Sequence, residues 1–220
     1  PKILDILKAE NVPATFFVLG QNVAKHPGIL ERAYAEGHEI GSHTYYHSHM
    51  DRVSSTWAKA EVNAVQMLVS GILGHGMRMY RDPYMNGGNW LPGSDIPHLK
   101  RLSDAGYLIS GMDVVPHDWN AENAEAIVDE ILSLVENGSG NVVLLHDGGG
   151  NHTKTVEALP RVISELKARG YEFVSLSSLL NVSREAIMPE VDVRHSAFNT
   201  ISSLAVSHSW TVLFLSFLPT

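Results

Sequence analysis

The stretch that decides the fold is residues 141–146, Asn-Val-Val-Leu-Leu-His. Its four consecutive apolar residues fit a strand that is buried on both faces, and such strands belong to parallel sheets covered by helices. Further strands are predicted at residues 14–19, 39–42 and 171–175. Helical periodicity fills the intervals between them, and several predicted helices end in a glycine, as at Gly37. We therefore predict an α/β fold in which strands and helices alternate.

The sequence also favours one of two possible arrangements of the predicted strands. An open sheet and a barrel both satisfy the alternation of strands and helices. Polar residues that could take part in catalysis or binding follow successive strands, at His43, Arg81, Asp113 and His146. They would converge where parallel strands end. This convergence favours a distorted, incomplete (β/α) barrel.

Composition limits the classes of function. The chain has 220 residues, of which 44% are hydrophobic and 18% charged, as in ordinary globular proteins. Its net charge of −8 and its lack of long basic runs make nucleic acid an unlikely partner. The absence of cysteine excludes disulfides and thiolate metal sites. We predict one domain over residues 1–190 and a linker with a further segment over residues 191–220.

The C-terminal segment differs from the rest of the chain. Residues 196–220 contain no Asp, Glu, Lys or Arg and end in an apolar run. The apolar length falls near the roughly 20 residues that a membrane span needs. A truncated transmembrane or interfacial segment, giving membrane attachment, and an apolar terminal helix or read-through scar are equally good interpretations.

Two histidines four residues apart, His43 and His47, follow the predicted strand at residues 39–42. One helical turn would place both imidazoles on the same side, as a divalent metal ion requires. The spacing alone is weak evidence, because a chain with 12 histidines also produces such pairs by chance on its surface. The position directly after a strand adds weight to the metal interpretation.

Two further motifs follow strands. Residues 81–84 read Arg-Asp-Pro-Tyr, and Pro83 fixes the backbone so that Tyr84 can present its N–H and its ring to a site. An ordinary loop with a surface Arg81 is the alternative. His146 ends the decisive strand and suits proton transfer, because imidazole titrates near neutral pH. A buried structural histidine is the alternative there.

A third group of residues lies between these motifs. Asp113, Asp118 and Trp119 are near the end of a predicted strand, where a carboxylate and an indole could orient an imidazole and line a small apolar pocket. A tryptophan alone more often indicates packing.

Taken together and in this order, the motifs resemble the polysaccharide deacetylase or NodB-like domain, the family-4 carbohydrate esterases. The metal motif His-[Ser/Thr]-x-x-His corresponds to residues 43–47, the Arg-x-Pro-[Tyr/Phe] motif to residues 81–84, and the final Leu-x-His or Leu-His-Asp motif to residues 144–147. The resemblance runs from residue 1 to about 190. Residues 141–180 are most similar to deacetylase domains fused to membrane-bound family-2 glycosyltransferases.

The resemblance implies a barrel of the NodB type and metal-dependent hydrolysis of N-acetyl or O-acetyl groups on a polysaccharide such as an N-acetylglucosamine polymer. It also implies a place in the cell envelope, outside the cytoplasm. His43 and His47 would bind the metal, with Zn²⁺ favoured over Co²⁺, Ni²⁺ or Mn²⁺. His146 would protonate the leaving group.

The resemblance assigns roles to four more residues. Tyr84 would donate its backbone N–H to the oxyanion of the tetrahedral intermediate. Trp119 and Leu145 would enclose the acetyl methyl group. Arg81 would orient the catalytic base.

Two departures from the family pattern matter. The Thr-Phe-Asp-Asp-Gly segment, which carries the base and the third metal ligand, is expected before Pro1, and no Asp-Asp pair occurs in the chain. We therefore expect the first barrel strand to be missing and these 220 residues alone to have very low activity. Val115 stands where the family has the Asp that tunes the acid histidine. Asp113, two residues earlier on the same strand face, is our candidate to replace it in tuning His146.

Two classes of function follow. In the first, the chain is most of the catalytic domain of a polysaccharide deacetylase, and an acetylxylan-type esterase differs from this only in substrate. In the second, the chain is a catalytically impaired, carbohydrate-binding domain that keeps the fold without turnover.

Overall fold

The computed structural model describes residues 1–85, 93, 96–191 and 212–219 of the chain. The described part confirms the α/β class, because strands and helices alternate along the sequence. Its strands are β1 (Thr15–Val18), β2 (Glu39–Ser42), β3 (Met79–Tyr80), β4 (Leu108–Ile109), β5 (Val142–His146), β6 (Tyr171–Val174) and β7 (Val212–Pro219).

The helices of the described part lie mostly where the apolar periodicity predicts them. The periodicity does not predict three short helices, α2 (Gly20–Lys25), α8 (Leu176–Leu179) and α9 (Arg184–Ile187), or the 3₁₀ turn at Asp118–Asn120. The helices are α1 (Lys2–Glu10), α2 (Gly20–Lys25), α3 (Pro27–Ala35), α4 (Ser55–Leu73), α5 (Ile96–Asp104), α6 (Ala124–Glu136), α7 (Thr153–Ala168), α8 (Leu176–Leu179) and α9 (Arg184–Ile187).

The sheet has the strand order β4-β3-β2-β1-β7-β5, and β6 pairs with β7. Strands β1 to β4 are parallel to one another, while β7 is antiparallel to β1, β5 and β6. A parallel bridge between Val114 and Val143 connects the segment after β4 to β5. The sheet therefore curves back on itself, as predicted for a distorted, incomplete barrel, and the carboxyl ends of β2, β3 and β5 lie at the same edge.

Strand β7 corrects the expectation for the C-terminal segment. The sequence favours equally a transmembrane or interfacial segment and an apolar terminal helix or read-through scar, but residues 212–219 form a strand that pairs with β1, β5 and β6. The helix prediction is wrong for these residues because the apolar run satisfies its backbone groups in the sheet. Residues 192–211 and 220 of the predicted segment lie outside the described residues. Among the helices described, none combines the length and apolar character needed to cross a membrane.

The main core lies between the sheet and the helices that cover it. Strand residues such as Phe17, Ile40 and Val143 have no solvent exposure, which explains their continuous apolar runs. Helices α6 and α7 pack on the β5 side and contribute buried residues such as Ile131 and Leu159. This packing fixes the strand ends from which the candidate site is built.

Candidate functional site

His43 is the first residue after β2, and its backbone and side chain are both held. Its N–H donates to the carbonyl of Val18 at 3.0 Å, which continues the pairing with β1. Its ring Nδ1 lies 2.9 Å from the carbonyl oxygen of Arg81. Because a carbonyl only accepts, Nδ1 carries the proton, and Nε2 keeps the lone pair that a metal needs. Burial, and then the neighbouring His47, hold the pKa of His43 well below its usual value.

His47 faces His43 across the same loop. The two ring centroids are 4.8 Å apart. Burial, followed by the electrostatic influence of His146, lowers the pKa of His47 to about 4. Both imidazoles are therefore neutral at neutral pH, which is the state in which histidine binds a metal. The structure brings this predicted pair together.

The loop between the two histidines has an unusual backbone. Thr44 and His47 both have positive φ, at 70° and 62°, a region that costs L-residues energy. Thr44 Oγ1 accepts the backbone N–H of His47 at 3.0 Å. The N–H groups of Gly20 and Gln21, at the start of α2, donate to the carbonyls of Thr44 and Tyr45. These two hydrogen bonds connect the start of α2 to the loop.

A buried carboxylate on α4 also contacts this loop. Glu61 Oε2 accepts the backbone N–H of Tyr45 at 3.2 Å and that of Tyr46 at 2.9 Å. Its Oε1 accepts the indole N–H of Trp57 at 2.8 Å and the hydroxyl of Ser48. The sequence motifs do not include Glu61. The feature that points to it is its place on the buried stripe of α4, beside Ala58, Val62 and Val65, where a charged residue is unusual.

Arg81 follows β3, and its side chain is buried rather than on the surface. Its N–H donates to the carbonyl of Ser42, and its guanidinium donates to the carbonyls of Met85 at 3.2 Å and Ser110 at 3.4 Å. It also contacts the sulfur of Met112. Burial lowers the pKa of Arg81 to about 10, so it remains a cation at neutral pH. The alternative of an ordinary loop with a surface arginine is therefore wrong.

The rest of this motif is held by a buried polar cluster. Asp82 accepts hydrogen bonds from the hydroxyl of Tyr80 and from His98 Nε2, the latter at 3.1 Å. Tyr84 has a φ of 60°, and its ring stacks on His49 with centroids 3.7 Å apart. It also meets the ring of His47 edge to face at 4.6 Å. Tyr84 therefore lies beside the histidine pair, as predicted, and its ring is exposed.

His146 ends β5 and is bound to a carboxylate at two points. Asp118 Oδ1 lies 2.7 Å from His146 Nδ1, and Asp118 Oδ2 accepts the backbone N–H of His146 at 2.9 Å. Asp118 Oδ2 also accepts the hydroxyl of Thr155 at 2.8 Å. The Asp118 side chain has no solvent exposure. Because the carboxylate oxygen accepts from Nδ1, this contact places the ring proton on Nδ1 and fixes the tautomer of His146.

Asp113 does not contact His146. Its Oδ2 accepts the backbone N–H groups of Asn141 and Val142, at 3.2 and 3.3 Å. The expectation that Asp113 tunes the acid histidine is therefore wrong. The reason is that β4 ends at Ile109, before Asp113, and the chain forms a 3₁₀ turn at Asp118, so the period of two does not predict which carboxylate points to the imidazole.

The two predicted pocket residues differ in their surroundings. Trp119 is exposed and meets the His146 ring edge to face, with centroids 4.9 Å apart. Leu145 is 1% exposed and belongs to the main core. Trp119 is therefore placed next to the imidazole, whereas the contact of Leu145 with an acetyl group stays a prediction.

The metal-binding capacity of the described residues is limited to the histidine pair. Within residues 1–85, 93, 96–191 and 212–219 there is no group of three His, Cys, Asp or Glu side chains that could hold a metal ion. The neutral imidazoles of His43 and His47 fit two positions of a divalent site. His146 lies near enough to depress the pKa of both. The arrangement is a pair of metal-type ligands beside a carboxylate-bound histidine.

Comparisons with known proteins identify relatives of the chain. A family model described as polysaccharide deacetylase matches residues 1–92. Two Bacillus cereus proteins named peptidoglycan-N-acetylglucosamine deacetylase are 34% and 32% identical to the chain, over 84% and 82% of its length. The chain spans 64% of the first and 81% of the second. The crystal structure of a peptidoglycan N-acetylglucosamine deacetylase superposes with a TM-score of 0.73 at 33% identity, over 84% of this chain and 82% of that one.

Proposed function

Because the chain belongs to the polysaccharide deacetylase family, we propose that it hydrolyses acetyl groups from a polysaccharide of N-acetylhexosamine units. The observation that carries this proposal is His146, bound to Asp118 and close to the neutral pair His43 and His47. Relatives named as deacetylases of peptidoglycan N-acetylglucosamine support the substrate class.

We propose that a divalent metal, with Zn²⁺ favoured, binds Nε2 of His43 and the ring of His47. When bound, such a metal polarises the acetyl carbonyl and lowers the pKa of a water molecule toward about 7. Two histidines leave the ligand set short of the three protein ligands that are usual for catalytic zinc. We propose that an Asp-Asp segment before Pro1 supplies both the third metal ligand and the general base.

In the proposed reaction, water adds to the acetyl carbonyl, the C–N bond breaks, and acetate and a free amine leave. The base takes a proton from the water. His146 gives a proton to the leaving nitrogen from Nε2, because its Nδ1 is bound to Asp118. Asp118 stabilises the imidazolium form that delivers this proton.

Three other residues have proposed roles around the reacting group. The backbone N–H of Tyr84 is a donor for the oxyanion, since its loop lies against His47. Trp119 and Leu145 line the space for the acetyl methyl group. Arg81 is the buried cation that orients the base.

The relatives also support a proposal for the cellular location of the reaction. Peptidoglycan is a wall polymer, so we propose that the protein acts outside the cytoplasm, in the cell envelope. The likeness of residues 141–180 to domains fused to family-2 glycosyltransferases leads us to propose such a fusion. The domain itself is proposed to comprise residues 1–190 together with the strand β7.

Acetate release tests the proposed activity. The full-length protein would be incubated with N-acetylglucosamine oligomers or peptidoglycan and Zn²⁺, Co²⁺, Ni²⁺ or Mn²⁺, and acetate would be measured. We expect metal-dependent release that His146→Ala lowers strongly. We expect residues 1–220 alone to show very little. Absence of release from the full-length protein with all four metals would exclude the proposal.

A second candidate is a catalytically impaired domain that binds carbohydrate. The observation that favours it is the absence of a three-ligand metal group among the described residues. For this candidate we expect glycan binding that His43→Ala and a chelator leave unchanged. Metal-dependent acetate release would exclude it.

A further inference from the structure

Glu61 connects the loop of the two histidines to helix α4. We propose that Glu61 is a positioning residue that holds the loop, and through it His43 and His47, in the geometry that binds the metal. This inference rests on the proposed function and deepens it, because it assigns a role to a buried carboxylate outside the motifs.

The contacts of Glu61 concentrate on the loop. Its carboxylate accepts the backbone N–H groups of Tyr45 and Tyr46, which lie between the two histidines, and the hydroxyl of Ser48, which follows them. Glu61 is 2% exposed, so these hydrogen bonds are shielded from water. Bonds to a charged acceptor in such surroundings are stronger than bonds between neutral groups.

The loop needs this support because its backbone is strained. Thr44 and His47 both adopt positive φ, a backbone region that is unfavourable for residues other than glycine. A strained conformation persists only when its surroundings hold it in place. The N–H groups of Tyr45 and Tyr46 lie between the two strained positions, so Glu61 fixes the segment that sets the distance between the imidazoles.

The chemistry requires a carboxylate in particular. Glu61 receives two backbone N–H groups, one indole N–H and one hydroxyl, and it offers two oxygens with about four acceptor positions. A glutamine would keep one accepting oxygen and turn an NH₂ group toward two of the donors. The hydroxyl of Ser48 can rotate to accept, but the indole of Trp57 cannot. Glu61→Gln should therefore keep part of the function, and Glu61→Ala should keep none.

The test compares two buried glutamates. Glu39 is 1% exposed and is the first residue of β2. It therefore lies at the end of the strand opposite to His43. Glu39 accepts the hydroxyl of Thr15 at 2.9 Å and the N–H of Ser177 at 3.3 Å, away from the loop. Glu39→Gln is therefore a matched control for the loss of a buried carboxylate.

Two readouts separate positioning from general stability. The first is the exchange rate of the Tyr45 and Tyr46 amide protons in the metal-free full-length protein. The second is the Kd for Zn²⁺, measured by calorimetry on folded protein. We expect Glu61→Ala to speed amide exchange and to raise the Kd by about 10- to 100-fold, the usual effect of losing a group that orients metal ligands. Glu61→Gln should lie between Glu61→Ala and wild type, and Glu39→Gln should match wild type in both readouts.

Each outcome decides the proposal. Unchanged exchange at Tyr45 and Tyr46 in Glu61→Ala, or Zn²⁺ binding by Glu61→Ala as tight as by Glu39→Gln, would overturn it. If Glu61→Ala does not fold, Trp57→Phe removes one donor at a half-exposed side chain and should give a smaller shift of the same sign. If wild type binds no Zn²⁺, the proposed function fails, while the exchange measurement still decides the role of Glu61.

Discussion

Asp118 holds His146 through both of its oxygens, one on the imidazole Nδ1 at 2.7 Å and one on the backbone N–H at 2.9 Å. The same carboxylate accepts the hydroxyl of Thr155 on α7. Three elements therefore meet at one buried group: the end of β5, the 3₁₀ turn and the start of α7. This arrangement fixes both the tautomer and the direction of the His146 ring.

The first prediction concerns Asp118→Asn. The amide has similar shape, but its NH₂ group can replace an accepting oxygen, so the imidazole loses its preferred tautomer and the imidazolium loses its stabilising charge. We expect kcat for acetate release to fall by about 10²- to 10⁴-fold, the usual contribution of general acid–base catalysis. The change in KM should be small, because Asp118 is buried and acts on the reaction through His146.

Asp113→Asn is the matched control for this experiment. Asp113 accepts the backbone N–H groups of Asn141 and Val142, and the amide oxygen of asparagine can still accept from them. We expect near wild-type kcat. A large loss of kcat in Asp113→Asn with little loss in Asp118→Asn would contradict our assignment of the two carboxylates.

The second prediction concerns the metal ligands. His47→Ala removes one of two neutral imidazoles and should weaken Zn²⁺ binding by more than the ~10- to 100-fold that an outer-shell partner contributes. Calorimetric titration with Zn²⁺ measures this. His49→Ala is the control, because His49 lies on the same loop but stacks on the exposed ring of Tyr84. Equal Zn²⁺ affinities of the two variants would show that His47 is not a ligand.

Much of the fold could be predicted from the sequence. The apolar runs at residues 14–19 and 141–146 form the largely buried strands β1 and β5, because continuous apolar residues leave no face for water. The strand β7 could not be predicted, since its apolar run fits a helix, a membrane segment and a strand equally well. Only the pairing partners β1 and β5 decide between them.

The site was predicted in part. Motif order identified His43, Arg81 and His146, because each follows a strand and strand ends converge. Spacing could not identify Asp118 as the partner of His146, since the chain turns between Asp113 and Asp118. Glu61 is far from the motifs in sequence, and only the packing of α4 against the loop brings it there.

The third prediction concerns the pH dependence of stability. Burial raises the pKa of Asp147 to about 7, and its Oδ1 has no hydrogen-bond partner in the described part of the chain. The unfolded chain loses this proton near pH 3.9. Between these values the folded state binds more protons than the unfolded state, so stability falls as pH rises and levels off above pH 7.

Asp147→Asn removes this dependence because the amide carries no charge. We expect the variant to gain about 2–4 kcal/mol of unfolding free energy relative to wild type between pH 4 and pH 8. Urea unfolding at several pH values measures the difference. Asp129→Asn, at an exposed position on α6, should show almost no such trend. A constant difference between Asp147→Asn and wild type at all pH values would contradict the prediction.

The last prediction tests how closely the sheet is packed beneath the histidine loop. A Cβ at Gly41, in β2, would lie 2.6 Å from Phe17 Cε1 and 3.2 Å from the carbonyl oxygen of Met79. Phe17 has no solvent exposure and no free space to move into, so Gly41→Ala should lower the unfolding free energy by about 1–3 kcal/mol. At Gly111 a Cβ would meet nothing within 4 Å, and Gly111→Ala should be near neutral. Urea unfolding of both variants measures the contrast, and equal stabilities would show that β1 and β2 are packed less tightly than described.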